Sequence, residues 1–193
     1  MNRKKLIAFF DATGLIPYAA AETIAARFSF LNITKNDLLL KAGTLPDRYL
    51  FLESGYIRAY TYDLEGNEIT TGFYQPNDVV FEVASFFNRS RSKEYMQALS
   101  DGYGWFITYQ DLNELFHTLP EFRDFGRAML VKGFSALKNR MLSTITETAE
   151  ERYIDLLHSH PDLFRYASLK HIATYLGITD SSLSRIRAGL YKK

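Results

Sequence analysis

With 193 residues, 47% of them hydrophobic and 23% charged, the chain is long enough for one large domain or two small ones around a sizeable core, and its net charge of +1 is a sum over unlike parts. It contains no cysteine, which removes disulfides, thiol nucleophiles, iron–sulfur ligation and Cys-type zinc sites together and fits a reducing cytoplasm. No apolar run reaches the ~18 residues a membrane span needs, and Met1 to Phe10 reads as a first helix interrupted by Asp11 rather than as a signal peptide.

Residues 2 to about 28 look helical, broken by Gly14 and Pro17 and resumed from Ala19 to Phe28. From Phe30 the period changes to two. Strands are expected at Asn36–Gly43, Arg48–Glu53, Tyr56–Tyr62, Glu68–Tyr74, Val79–Phe81, Tyr95–Leu99 and Trp105–Tyr109. Asp63 to Asn67 closes a hairpin, and Asn88 to Lys93 is a polar insert. Many short strands at regular spacing argue for an antiparallel barrel or sandwich. Around Gln110 the helical period returns, with a short helix from Asp111 to Leu119 and a long one from about Glu121 to Ile145.

That long helix would span ~37 Å at 1.5 Å per residue. Leu130, Phe134, Leu137, Met141 and Ile145 form a stripe that invites a second copy of itself, unless the barrel covers it. Thr148-Ala149-Glu150-Glu151 is a capping-box pattern that opens another helix through Leu157, with the hinge between modules near Thr144 to Thr148. After Pro161 comes the most informative stretch. Ser168 is a good N-cap, Leu169, Ile172, Ala173 and Leu176 share one face, and Gly177 supplies a left-handed turn. Thr179 restarts a helix whose buried side is Leu183 and Ile186, with Leu190 one turn further on.

Two short helices joined by a tight glycine turn make a helix-turn-helix unit, whose second helix lies in the DNA major groove. Ser181, Ser182 and Ser184 permit close approach, Arg185 can reach a guanine edge, and Asp180 can accept from a cytosine amine. From Arg165 onward there are six Lys or Arg (Arg165, Lys170, Arg185, Arg187, Lys192, Lys193) against Asp180 alone, so this end carries +5 and the remainder −4. A basic tail suits phosphates, which bind by exchanging counterions for Lys and Arg. The plainer alternative is a helical hairpin that only closes a core.

Catalysis finds little support. His117, His158, His160 and His171 are too scattered for a zinc motif, no phosphate-cradling Gly-rich Lys loop occurs, and the serines lack a partnered His and acid. No catalytic residue, metal site or cofactor is identifiable.

The order of helix, barrel, long helix and helix-turn-helix resembles the Crp/Fnr family of bacterial transcription regulators over nearly the full chain. Its most specific stretches are Lys170 to Thr179 continuing through Ser182 to Arg187, and Thr148 to Tyr153. The resemblance implies that the long helix forms a dimer seam. It implies phosphate contacts from Ser168, Lys170 and Thr179, base contacts from Asp180, Ser181 and Arg185, and a wider DNA set including His171, Ser182, Ser184 and Arg187. In the sensor half Glu82 matches the cyclic-nucleotide pattern, whereas Phe81 replaces a glycine and Ser92-Lys93 stand near the place of the phosphate-neutralising arginine. Lysine supplies charge without a bidentate fork, so cyclic AMP is not the expected effector of a pocket containing Phe81, Glu82, Ser92 and Lys93. The absence of cysteine closes the family's oxygen-sensing iron–sulfur route.

The resulting expectation is an α+β, non-enzymatic protein. A jelly-roll (cupin-like) sensor barrel spans 1–120, a dimerisation helix and hinge 121–146, and a winged-helix-like helix-turn-helix domain 147–193. Its partners would be double-stranded DNA, a second copy of the chain and RNA polymerase, with no membrane, and an unidentified small molecule or nothing in the barrel. The rival expectation is a small-molecule-binding barrel whose helical tail mediates protein contacts.

Overall fold

The computed structural model describes residues 2–190. Helices α1 (Lys4–Asp11) and α2 (Tyr18–Ala26) precede the strands β1 (Ser29–Ile33), β2 (Leu38–Leu40), β3 (Arg48–Ser54), β4 (Ile57–Tyr62), β5 (Glu68–Tyr74) and β6 (Val79–Val80). Helix α3 (Val83–Asn88) separates these from β7 (Tyr95–Ala98) and β8 (Gly102–Thr108). The remainder is helical: α4 (Tyr109–Thr118), α5 (Pro120–Thr146), α6 (Ala149–Ser159), a 3-10 turn (Leu163–Arg165), α7 (Leu169–Tyr175) and α8 (Asp180–Leu190). Among the described residues no strand follows β8, so a wing is not part of the described tail.

The strands form two antiparallel four-stranded sheets, ordered β1-β8-β3-β6 and β2-β7-β4-β5. Their facing sides enclose Ile33, Leu50, Leu52, Ile57, Ala59, Val80, Met96 and Ala98. The other side of the first sheet is apolar as well. Phe51 and Trp105 turn outward there and meet Phe10, Phe122 and Phe125 from α1 and α5 in an aromatic cluster. Buried on both faces, β3 loses the alternation a half-solvated strand would show. Within the first sheet, the Trp105 indole N–H donates to Glu53 at 2.8 Å, which gives a buried carboxylate its partner.

Several boundaries differ from the sequence expectation, each for a local reason. The strand expected at 36–43 contracts to Leu38–Leu40, whose pairing to β7 contains a register shift. Residues 83–88 coil into α3 because the Glu82 carboxylate accepts from Ala84 N at 3.0 Å and Ser85 N at 2.9 Å, capping two otherwise orphaned amides. Strand β8 begins at Gly102 rather than Trp105, and its glycines hid it. They stand where the neighbouring strand approaches too closely for a side chain, since a Cβ at Gly104 would lie 2.4 Å from the Phe51 carbonyl oxygen. We expect Gly104→Ala to cost at least about 2 kcal/mol through this overpacking, measurable as a lowered urea midpoint.

Candidate nucleic-acid interface

The tail is built from caps that its sequence announces. The Thr148 hydroxyl accepts from Glu151 N at 3.2 Å while the Glu151 carboxylate accepts from Thr148 N at 2.8 Å, a complete capping box for α6. The Ser168 hydroxyl accepts from His171 N at 3.2 Å and starts α7. That helix ends in a Schellman motif: Ile178 N donates to Ala173 O at 3.0 Å, Gly177 N donates to Thr174 O at 3.1 Å, and Gly177 holds φ +70°. Thr179 then accepts from Ser182 N at 3.3 Å as α8 begins.

Leu183 is fully buried, while Ile186 and Leu190 lean on the same cluster with Ile172, Ala173 and Leu176. The opposite side of α8 is free, with Asp180, Ser181, Ser184 and Arg185 exposed and Ser182 half-buried. Ser168, Lys170 and Thr179 are exposed as well. Arg185 is folded along its own helix, its Nε donating to Ser181 O and Nη2 to Ser182 Oγ, both at 3.3 Å. Exposed hydroxyls, and a guanidinium held only by one of them and a carbonyl of its own helix, suit a surface that exchanges these contacts for a ligand. Two residues expected in this group lie elsewhere. Arg187 is half-buried with its Nε shielded, and His171 is turned to the barrel, beside Arg58 and Glu68. Lys192 and Lys193, counted in the basic tail, lie outside the described residues.

The barrel side of α7 was not foreseen. On β4 and β5, Arg58, Tyr60, Thr70 and Phe73 point away from the barrel interior, yet Arg58 retains only 4% side-chain exposure. Its guanidinium pairs with Glu68 at 2.6 Å and Gln97 at 2.9 Å and lies 4.1 Å from the Tyr60 ring centroid. Helix α7 covers this face. The Thr174 hydroxyl lies 3.2 Å from both the amide and the hydroxyl of Thr70, Tyr175 packs on Phe73, and Tyr166 stacks on Tyr56 at 4.4 Å. Leu99 at the end of β7 completes the tail's own apolar cluster. From α5, Arg140 donates to Thr71 O of the barrel and to Tyr175 O at 3.2 Å, with its guanidinium over the Tyr175 ring. Arg152 donates to Leu176 O at 3.1 Å, so two cations meet the carbonyl end of α7, where the helix dipole favours them. An Arg between aromatic residues on a strand gave one weak hint of this seam. Nothing in the sequence marked Arg140.

The expected effector residues do not converge. Phe81 and Glu82 line a leucine-rich cavity of about 320 Å³ that Ser92 and Lys93 do not line. Ser92 is buried in a tight turn with its hydroxyl bonded to the backbone of Glu94, and Lys93 is exposed. Near the bound end of Arg140, burial pushes the Glu94 carboxyl up, reinforced by Glu82. On α5, by contrast, the expected stripe is open: Leu130, Phe134, Leu137, Met141 and Ile145 are all exposed, Phe134 at 71% and Ile145 at 73%. Full burial on that helix is confined to its first turns, at Phe122, Phe125 and Gly126.

Comparison with known proteins places this architecture. Residues 30–118 match the cyclic nucleotide-binding domain family. The fumarate and nitrate reduction regulatory protein of Yersinia pestis is 28% identical over 166 residues, covering 80% of this chain and 65% of that protein. FixK2 from Bradyrhizobium japonicum superposes with a TM-score of 0.72 at 19% identity over 86% of this chain and 85% of its own. A Eubacterium rectale structure described as a transcriptional regulator of the Crp/Fnr family superposes at 0.71 with 16% identity, covering 92% and 85%. The chain is thus similar to a bacterial regulatory protein in sequence and to solved Crp/Fnr regulators in fold. It spans about two thirds of the length of the curated Crp/Fnr relatives it matches, 65%. The domain match takes in the barrel from β1 to α4, and the exposed α8 face and the α7 seam both fall beyond it. Among the described residues no helix is long and apolar enough to cross a membrane.

The seam carries a pH dependence of definite sign. Burial, and then the Arg58 guanidinium, push the His171 imidazole down to about 4, with Lys170 adding and Glu68 opposing. Because its unfolded counterpart titrates near 6.5, the unfolded chain binds the extra proton between those values. The contribution of neutral His171 to stability is therefore full above about pH 6.5 and declines as pH falls toward 4. We expect the difference in urea midpoint between wild type and His171→Asn to shift steadily against wild type from pH 7 to pH 4.5.

Proposed function

We propose that this chain is a dimeric, sequence-specific DNA-binding regulator of transcription, whose barrel takes an effector other than cyclic AMP. Its sensor module runs over 1–120, its dimerisation helix and hinge over 121–146, and its DNA-binding module over 147–193. The observation that carries this reading is the division of α8, with Leu183 wholly inside and Ser181, Ser184 and Arg185 outside, uncovered by the barrel that holds α7. Ser168, Lys170 and Thr179 approach phosphates at its flank, while Asp180, Ser181 and Arg185 face base edges. His171 and Arg187 serve the interior instead.

Dimerisation is supported by the α5 stripe. Exposed leucine, phenylalanine and isoleucine along one helix form an apolar surface that a monomer would leave in water, and pairing with its copy buries it. Two recognition helices would then meet half-sites ~34–36 Å apart, or a multiple of that. Against cyclic AMP stand Phe81 in the glycine's place, Lys93 out of the cavity, and the half-buried Glu94, whose carboxyl is pushed up by burial and then by Glu82. RNA polymerase is the further partner, and the cytoplasm the setting, that such a regulator requires. The rival, a barrel with a tail for protein contacts, has α7 in its favour but gives no reason for the uncovered hydroxyls and Arg185.

Arg185→Ala should cost ~1–3 kcal/mol on the preferred site and relax discrimination at one base pair, whereas Lys170→Ala weakens all sequences alike and flattens the salt slope. Fluorescence anisotropy on a selected operator and on scrambled DNA distinguishes them, and an equal loss on every sequence for Arg185→Ala would reduce it to a phosphate contact. Phe134→Glu should yield monomer at micromolar concentration by sedimentation and abolish tight binding to the two-half-site operator. A wild type that already sediments as monomer there would overturn the dimer.

A further inference from the structure

The cavity in the barrel differs in its chemistry from a nucleotide site. Leu31, Leu39, Leu40, Leu50, Val80 and Met96 supply its inner wall, and it has no hydroxyl or amide cluster that would read a base or a ribose. The Leu38 and Leu45 side chains, 40% and 46% exposed, stand at its mouth. Its volume of about 320 Å³ lies in the lower range of small-molecule pockets and accommodates about ten heavy atoms at roughly 30 Å³ each. Four charged side chains reach the lining, and they are unequally committed. Glu82 is spent on capping α3, and Asp47 pairs with Arg89 at 3.4 Å. Lys41 and Arg48 have no ion-pair partner among the described residues, Arg48 resting only over the Phe106 ring at 4.8 Å. An apolar hollow rimmed by two uncommitted cations, with its own carboxylates already engaged, complements a molecule with an apolar tail and an anionic head.

We propose that the barrel binds an alkyl carboxylate of about ten carbons, its tail among the leucines and its carboxylate at Lys41 and Arg48. This deepens the effector-barrel reading and rests on it. The carboxylate recovers charge-assisted hydrogen bonds at the rim, and the tail removes Leu38 and Leu45 from water.

Calorimetric titration of the full chain with decanoate, decanol and cyclic AMP tests this. Decanoate should bind one per chain, decanol at least tenfold more weakly, and cyclic AMP should give no heat of binding. The double variant Lys41→Gln, Arg48→Gln, at two exposed positions, should lose decanoate affinity at least tenfold and leave decanol unchanged. Leu45→Glu, also exposed, should lose decanoate affinity by a similar factor through charge repulsion at the mouth. No decanoate binding, equal affinity for decanoate and decanol, or undiminished decanoate affinity in the double variant would overturn the proposal. So would Leu45→Glu changing the oligomeric state with decanoate affinity intact, since the groove would then be a contact between copies. Operator binding measured on the same ligand-free preparations separates the two readings. Its persistence without decanoate binding sinks only the ligand, and its absence with decanoate binding intact sinks only the DNA reading.

Discussion

A buried guanidinium sets the arrangement of this molecule. Arg58 lies on the outer side of the second sheet, nearly sealed from water, and Glu68, Gln97 and the Tyr60 ring share its charge. A cation there is tolerable only while those partners hold, because an isolated buried charge costs several kcal/mol. Helix α7 is the lid over that network. The tail's first helix is thereby tied to the barrel by polar matching at Thr70–Thr174 and by ring contacts at Tyr56–Tyr166 and Phe73–Tyr175. Helix α8 is left pointing away.

This gives the chain a layered build. Helices α1, α4 and α5 cover one sheet with an aromatic cluster, the tail covers the other, and the leucine cavity lies between the sheets. Arg140 bonds to the barrel and to α7 from the long helix, so one side chain touches every module. A displacement of the barrel near Thr71, of α5, or of α7 must therefore move Arg140 or break one of its bonds. Coupling of this kind needs no long wire, only a residue whose partners belong to different bodies.

What was legible in advance follows from which interactions are local. Caps and turns were read correctly at Thr148, Ser168 and Gly177 because each acts within a few residues of itself. The stripe on α5 was legible as a helical period, and the exposed face of α8 as a run of small polar residues around Leu183. Strand β8 was shortened because its glycines carry no hydrophobic signal. They are there for a neighbouring backbone that only the fold brings near. His171 and Arg187 illustrate the converse, since polarity places a residue at a surface without saying which surface.

By itself, then, the order of residues determined the kinds of element, their sequence and the helix-turn-helix, since periodicity, capping and turn chemistry are properties of neighbours along the chain. Tertiary structure alone decided that Arg58 on the outer face of β4 is covered, that Ser92 and Lys93 stand apart from Phe81 and Glu82, and that Arg140 joins the barrel to α7. Those outcomes depend on long-range contacts such as Arg140 to Thr71, between residues with no periodic relation, where burial and charge pairing are settled only once the sheets and helices have met.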